Sequence, residues 1–264
     1  MAGELLYEVN ESVIAVVVIV LLLLTIEVGY RVGDKVPPGL TDSAKSPVLA
    51  ISGAIFGLLA LLVGFTFSMS LSRFEQRRQL VLEEANAIGT TYLRARLLPE
   101  PEATAVAGLL RSYVDDRLNF YNLRNDPAQF KSVIDRTEKL QSELWSHAAN
   151  VVSKSERPVT TGLFIESLND VIDLHSKRLA AKENHVPESV LLLLLLVAVT
   201  VALLVGYACG LMKRRHSFST TTMALLIVLV IVAVIDLDRP SRGLIRVSQD
   251  SMIRLRDNMK NEMP

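Results

Sequence analysis

Two carboxylates and an arginine stand at the end of the last apolar stretch of this 264-residue chain, in the run Ile235-Asp236-Leu237-Asp238-Arg239-Pro240. A carboxylate at the centre of a bilayer costs about 2.5–3.5 kcal/mol on insertion scales, and less near the interface. We therefore expect Asp236 and Asp238 to be paired or hydrated. Their candidate partners are Arg239, Arg242 and the arginines after the second apolar stretch, Arg73, Arg77 and Arg78. Two interpretations stay open, a structural collar between membrane and water and a charged vestibule at a pore mouth.

Glu27 and Arg31 stand four residues apart at the end of the first apolar stretch, on one helix face. One interpretation is an ion pair at the interface that stays hydrated because long side chains reach outwards. The other is a pair of charges that face a pore or the interior of a helix bundle. Together these residues form a predicted membrane-boundary charge cluster, which consists of Glu27, Arg31, Arg73, Arg77, Asp236, Asp238 and Arg239.

A third group of acidic residues, Glu166, Asp170 and Asp173, shares one face of a predicted helix at steps of four and three. Carboxylate oxygens in such a row are a weak candidate site for a divalent cation. The ordinary alternative is a solvated face of a bundle helix.

No pattern in the sequence is typical of an enzyme, since it contains no phosphate loop, no GxSxG and no HExxH. The single cysteine, Cys209, excludes an intrachain disulfide and a zinc site built from cysteines. The formal net charge of zero gives no reason to expect nucleic acid. We predict neither an enzyme nor a bound cofactor.

Four apolar stretches separate these charges: 13–32, 47–71, 189–211 and 218–237. About 20 apolar residues suffice to cross a bilayer as a helix. The sequence therefore predicts four transmembrane helices and a multi-pass membrane protein in contact with the lipid bilayer.

The second apolar stretch continues past Leu71 to Leu98 with no proline and no glycine pair. Apolar residues keep helical spacing there, which predicts one helix that leaves the bilayer and continues into water. Three further helices follow, with apolar stripes such as Val106, Leu110 and Tyr113. The expected fold is all-α, with two pairs of membrane helices flanking a soluble helical bundle. The predicted domains are 1–72, a transmembrane hairpin; 73–186, the bundle; 187–238, a second hairpin; and 239–264, a charged tail.

Small residues recur at steps of four in the second apolar stretch, at Ala60, Gly64, Ser68 and Ser72. Such spacing allows two helices to approach closely in lipid. Packing and the lining of a narrow passage both remain open as the meaning of this pattern.

The positive charges near the ends of the four stretches are more numerous on the side of the bundle and the termini. This distribution predicts that the bundle and both termini are cytoplasmic. The basic run Lys213-Arg214-Arg215 on the other side opposes that orientation.

Several long segments are similar to one known family: FTFSMSLSRFEQRR, EANAIGTTYLRARLLPEP, LRSYVDDRL, SLNDVIDLHSKR with HVP before a membrane helix, and DLDRPSRGLIRVSQDSM. The chain resembles the bacterial bestrophin-like membrane proteins over Phe65 to Met252. The resemblance implies kinship with bestrophins, homopentameric anion channels with four membrane helices and a helical cytosolic part in each subunit.

The resemblance also implies that apolar side chains of the second membrane helix narrow a pore. The candidate pore-lining residues are Phe56, Gly64, Phe65, Phe67 and Ser68. We therefore expect a homo-oligomer, a pentamer by this resemblance, in a bacterial inner membrane, which conducts chloride or other small anions. The alternative is a membrane-anchored scaffold or sensor that conducts nothing and whose bundle binds a partner.

Overall fold

The computed structural model of the protein describes residues 9–122, 127–154, 158–239 and 245–261, and their regular structure is entirely helical. The helices are α1 (Glu11–Asp34), α2 (Pro38–Ala95), α3 (Glu102–Asn122), α4 (Pro127–Lys154), α5 (Pro158–Glu183), α6 (Glu188–Leu211), α7 (Ser217–Asp238) and α8 (Asp250–Asn261). The all-α prediction is confirmed. The candidate partner Arg242 lies outside the described residues.

Four helices are long and apolar enough to cross a membrane, namely α1, α2, α6 and α7, as predicted. The membrane-spanning part of α2 is 47–71, where no side chain is charged. The helix then continues without a break to Ala95, for 58 residues in total. Helical hydrogen bonds keep every backbone group of this region paired, so the same backbone suits both lipid and water.

The described residues divide into two compact units. The membrane unit comprises 9–73, 185–239 and residue 245, and the soluble unit comprises 74–122, 127–154, 158–184 and 246–261. Helix α2 is the element that contributes to both units.

Glycines bring the backbones of α1 and α6 into direct contact within the membrane unit. A Cβ atom at Gly206 would lie 2.1 Å from the carbonyl oxygen of Ile26, and one at Gly33 would lie 2.3 Å from that of Tyr207. Lipid gives apolar helices little reason to associate, so close approach over small residues supplies the packing. In contrast, a Cβ atom at Gly64 on α2 would have no neighbour within 4 Å, and Ala60, Ser68 and Ser72 are exposed, so no described residue covers the small-residue stripe of α2.

The soluble unit is built around one apolar core that all of its helices share. The stripes predicted for α3 and α5 are buried, including Leu110 and Phe164. Helix α8 adds Met252 and Met259 to the same core. Charged residues on the opposite faces keep these helices amphipathic, which is the arrangement expected of a bundle in water.

The backbone contact between α1 and α6 at their glycines predicts that one added methyl group lowers the stability of the membrane unit. We expect Gly206→Ala to destabilise the membrane unit by about 1–3 kcal/mol, because its Cβ meets backbone that cannot rotate away. Thermal unfolding in detergent micelles measures the change. Gly108→Ala on α3 is the control, since a Cβ atom there has no neighbour within 4 Å. Equal stability of the two variants would contradict the close backbone contact of α1 and α6 at Gly206.

Candidate functional site

The membrane-spanning segment of α2 is the least covered of the four. Only 6% of its apolar window is buried, against 22–33% for the other three candidate spans. One narrow stripe, with Leu59, Thr66 and Ser70, faces the rest of the membrane unit. Most of the surface of this segment is therefore left without a partner among the described residues.

All five predicted pore-lining residues lie on that uncovered surface. The three phenylalanines are exposed, Ser68 is exposed, and no atom lies within 4 Å of a Cβ built at Gly64. A helix turns by about 100° per residue, so Phe56 and Phe67 point almost the same way, while Gly64 points about 60° and Ser68 about 100° away from Phe67. By the same geometry Phe65 points about 160° away from Phe67. The five residues therefore spread over about half of the helix circumference, with Phe65 opposite Phe56 and about 60° from Ser68.

The membrane-boundary charge cluster separates into groups at the two ends of the membrane helices. At one end Arg239 contacts Glu11 at 3.3 Å and donates to the carbonyl oxygen of Val9 at 2.8 Å. Asp238 accepts a hydrogen bond of 2.7 Å from the backbone N–H of Val186, just before α6. Sequence analysis missed Glu11, because nothing local to the first helix indicates that it meets the end of the fourth.

Asp236 lies at the same end and accepts a hydrogen bond of 2.9 Å from the backbone N–H of Ile245. Both aspartates and Arg239 are buried. Asp236 and Asp238, at the end of α7, therefore accept hydrogen bonds from backbone N–H groups of two other segments.

At the other end of α1, Arg31 contacts Glu27 at 2.8 Å. Arg215 contacts Glu27 at 3.3 Å, and its guanidinium lies 4.5 Å from the ring centre of Tyr30. These charges are partly exposed, which agrees with the interpretation of Glu27 and Arg31 as a hydrated ion pair. A cavity of about 150 Å³ adjoins them and is lined in part by Cys209 and His216.

The remaining two arginines of the predicted cluster belong to different units. Arg73 is in the membrane unit, where its Nη2 lies 3.8 Å from the sulfur of Met69. Arg77 is buried in the soluble unit and donates to the carbonyl oxygens of Ala181 at 2.9 Å and Asn184 at 2.8 Å. It therefore caps the last turn of α5, where helix carbonyls have no partner in the helix.

The weak metal candidate lies on the outside of α5, where Glu166, Asp170 and Asp173 are all exposed. In the described part of the chain, no group of three or more His, Cys, Asp and Glu residues is placed to hold a metal ion. The three carboxylates form a solvated face of the helix.

A buried ionic network in the soluble unit was not foreseen as a site. Glu84 on α2 contacts Arg117 on α3 at 2.8 Å and also accepts a hydrogen bond from Arg178 on α5. Arg178 donates to Gln249 at 3.3 Å, and Tyr113 donates to Glu84 at 3.4 Å. Arg117 lies in line with the predicted apolar stripe of α3. An arginine at a position expected to be buried was therefore the sequence feature that could have indicated this network.

The electrostatics of this network follow from its burial and its two guanidinium groups. Burial alone would raise the pKa of Glu84, but the positive charges of Arg178 and Arg117 lower it overall. Burial, together with the negative charge of Glu84, raises the pKa of Tyr113. Glu84 is therefore ionised and Tyr113 is a neutral hydrogen-bond donor at neutral pH.

His175 and Lys182 lie on α5 beside the network. His175 is 4% exposed, and neither ring nitrogen has a hydrogen-bond partner among the described residues. Burial and the charge of Arg117 lower the pKa of His175 to about 4, so its ring is neutral at pH 7. Lys182 lies over the ring of Phe130 at 4.0 Å, and burial with the two arginines lowers its pKa to about 8.

The helices and charges described above define an integral membrane protein with a membrane unit of apolar helices and a soluble unit of amphipathic helices. A family model described as a bestrophin-like domain matches residues 12–252. The chain therefore belongs to the bestrophin-like family, as its sequence motifs predicted. A comparison with curated proteins gave no match.

Solved structures share this fold at low sequence identity. A bacterial bestrophin homologue from Klebsiella pneumoniae is 18% identical, with a TM-score of 0.65 over 93% of this chain and 99% of that chain. A mutant of such a homologue from the same organism is 16% identical, with a TM-score of 0.67 over 92% and 96%. A protein described only as a membrane protein is 17% identical, with a TM-score of 0.68 over 94% and 99%. At these identities the similarity establishes the fold.

The buried network predicts a large penalty when its carboxylate is neutralised. We expect Glu84→Gln to destabilise the protein by about 3–5 kcal/mol, because two buried guanidinium groups would lose their counter-charge. Thermal or chemical unfolding in micelles measures this. The neighbouring Glu83→Gln is the matched control and should change stability little, since Glu83 is exposed. If the two variants proved equally stable, Glu84 would not be the counter-charge of the arginines.

His175 predicts a pH dependence of stability with a defined sign. Its folded pKa of about 4 lies below the ordinary value of 6.5, so between these values the unfolded chain binds more protons. Stability should therefore rise with pH across this window and be lost as the pH falls through it, by about 2–3 kcal/mol.

His175→Gln should flatten that dependence, because glutamine does not titrate. The measurement is the unfolding temperature of wild type and variant from pH 7.5 to pH 4.5. His216→Gln, at an exposed histidine, is the control and should keep the wild-type profile. If the unfolding temperature of the His175 variant depended on pH as in wild type, another group would be responsible for the pH dependence.

Proposed function

We propose that the chain is a subunit of an oligomeric, anion-selective channel whose pore is lined by the membrane-spanning segment of α2. The observation that carries this proposal is the lack of cover on that segment, of which only 6% is buried. Among the described residues, the other three candidate spans are buried to 22–33%, whereas α2 leaves almost all of its span uncovered.

A pore requires more than one subunit, because four helices packed together leave no continuous water path between them. Copies of α2 around a common axis would supply such a path. The family resemblance implies five subunits, and the shared fold of the bacterial bestrophin homologues is compatible with this. The side of α2 with Phe56 and Phe67 would face the axis, with Gly64 and Ser68 turned about 60° and 100° away from Phe67, and Phe65 would face a neighbouring subunit or lipid.

Two features of α2 favour small anions such as chloride. The apolar rings formed by Phe56 and Phe67 would control conduction through dewetting of a narrow passage. Arg73 and Arg78 follow where the charge-free segment ends, and positive charge at a pore mouth raises the local anion concentration.

The proposed location is a bacterial inner membrane, with the soluble unit and both termini in the cytoplasm. The basic residues near the membrane on the side of the soluble unit support this orientation. Arg73, Arg78 and Arg239 are examples.

The alternative function is a scaffold or sensor that does not conduct and whose bundle binds a partner. One observation favours it, an open groove of about 520 Å³ between α2 and α8 in the soluble unit. Polar side chains line this groove, among them Asn86, Thr90, Arg254 and Asn258.

The mass of the purified complex in detergent or nanodiscs, by native mass spectrometry, separates the two functions first. A closed ring of subunits, a pentamer by the resemblance, supports the channel. A monomer or dimer overturns it and leaves the scaffold.

Conduction through the proposed arc is tested by single substitutions on α2. We expect Phe67→Ala and Phe56→Ala to raise chloride flux in liposomes several-fold, because each removes an apolar side chain from a constriction. Phe65→Ala is the matched control, since its side chain points about 160° away from that of Phe67, and its flux should stay near that of wild type. Unchanged flux in all three variants, with stability lost, would count against α2 as the pore helix.

A further inference from the structure

The basic run Lys213-Arg214-Arg215 has no part in the proposed channel, and by its charge it opposes the proposed orientation. It follows the end of α6, which lies beside the end of α1. The two helix ends are in backbone contact, since a Cβ atom at Gly210 would lie 2.7 Å from the backbone nitrogen of Asp34. The charges of the run and those of the last turns of α1 are therefore at the same end of the membrane unit.

Positive charge predominates among the described residues of this basic end. Its five cations and two carboxylates are Glu27, Arg31, Asp34, Lys35, Lys213, Arg214 and Arg215. Glu27 contacts Arg31 at 2.8 Å and Arg215 at 3.3 Å. Lys213 and Arg214 are exposed, and neither forms an ion pair with a described residue. A ligand with net negative charge therefore suits this surface better than a neutral one.

Arg215 is held in place more firmly than an ordinary surface arginine. Its guanidinium contacts Glu27 and lies 4.5 Å from the ring centre of Tyr30. The contact with Glu27 is made by Nη2, and a guanidinium has five N–H donors in a planar fork. The remaining donors can bind a second anion, and the fork matches two oxygens of a phosphate group.

The cavity of about 150 Å³ adjoins Arg215, between α1 and the start of α7. Leu23 and Ile26 form an apolar part of its lining, and Ser217 and Thr221 add hydroxyl groups. Pockets that enclose a drug-sized molecule measure about 300–1,000 Å³. This cavity therefore suits part of a ligand, such as the headgroup region of a lipid whose chains remain in the bilayer.

The cavity lies at a membrane boundary. The charge-free part of α1 ends at Ile26, and Phe218 in the first turn of α7 is 86% exposed. An exposed phenylalanine ring is unfavourable in water but suits the boundary between headgroups and acyl chains. The basic side chains of the loop before Phe218 are therefore at the level of lipid phosphates.

The backbone at Lys213 is a further sign that a side chain is used here. Its φ angle of 53° lies in the left-handed region directly after α6, where glycine is the usual residue because it has no Cβ atom. Lysine adopts this conformation at a cost in free energy. In return, the position supplies one more cation to the basic end.

We propose that the basic end of the membrane unit binds the headgroup of an anionic phospholipid. Arg215 would bind two phosphate oxygens through its planar fork, and Lys213 and Arg214 would supply further positive charge. The hydroxyl of Ser217 would add a neutral donor, and Leu23 would contact the first methylene groups of an acyl chain. The site lies within one subunit, and lipid binding to it does not require conduction.

Phosphatidylglycerol, which has net negative charge, and phosphatidylcholine, which has none, are the probes. Native mass spectrometry of the full chain in a non-ionic detergent should show phosphatidylglycerol bound at lower concentrations than phosphatidylcholine. Phosphatidylglycerol should also raise the unfolding temperature more than phosphatidylcholine does, because a ligand of the folded state stabilises it. Equal binding of the two lipids would overturn the proposal.

A double variant tests the charges of the site. Arg214→Gln with Arg215→Gln should raise the phosphatidylglycerol concentration for half occupancy about 10–30-fold, since two basic residues at the lipid surface are lost. Lys139→Gln with Lys260→Gln is the matched control, because it removes the same charge from exposed positions of the soluble unit. An equal loss of binding in both double variants would overturn the proposal.

Two single variants distinguish a built site from general attraction. Arg215→Lys keeps the charge but removes the planar fork, so it should weaken phosphatidylglycerol binding several-fold, whereas Arg214→Lys should not. Equal binding by Arg215→Lys and wild type would overturn the site. Water-soluble glycerol phosphate, which lacks the chains, should not stabilise the protein at the same concentrations. Stabilisation equal to that by the lipid would identify a site for free phosphate instead.

Lys213→Gly removes a charge without a risk to folding. Glycine adopts a φ of 53° with no Cβ clash, so the unfolding temperature without lipid should equal or exceed that of wild type. Half occupancy should need about five times more phosphatidylglycerol, because one cation is lost. An unchanged lipid response would contradict the proposal. None of these readouts uses ion flux, so the failure of this site and the failure of the channel are separate outcomes.

Discussion

The structure depends on one unbroken helix that passes from lipid into water. In lipid every backbone N–H and C=O must be paired within the protein, and helix α2 meets that demand along all 58 residues. The change of solvent is therefore expressed only in side chains. From Pro47 to Leu71 the helix carries none that is charged, and from Arg73 onwards charged and apolar residues alternate with helical spacing. The two units differ because they pack against these two kinds of surface.

Each unit is stabilised by the interactions that its surrounding solvent, lipid or water, makes favourable. Apolar side chains gain little by leaving lipid, so the membrane unit relies on backbone contact, as at Gly29 and Gly206. The soluble unit gains from removing apolar surface from water, and it buries Ile88, Leu144 and Phe164 in one core. That core also encloses Glu84 with its arginines. The cost of burying these charges is offset only because the carboxylate and the guanidinium groups contact one another directly.

Local pattern was sufficient to predict the helices and their buried faces, because hydrophobic period and run length are properties of neighbouring residues. No comparable sequence pattern indicates which distant segments contact each other. The pairing of Glu11 with Arg239 joins the first membrane helix to the end of the fourth, and the Glu84 network joins three helices. The sequence indicated that Asp236 and Asp238 need partners, but some of those partners are backbone N–H groups of Val186 and Ile245, which a sequence does not display.

Some helix surfaces of the membrane unit are covered by packing and others are not, and this difference limits where the proposed ion path could run. The charged groups at both ends of α1 have partners within the chain, and α1 and α6 are in backbone contact, so no passage runs between them. Helix α2 is different, because it pairs by one stripe and leaves Phe56, Gly64 and Phe67 uncovered. In the proposed channel, copies of α2 around a shared axis would cover this surface, so the uncovered surface and the proposed pore lie on the same helix.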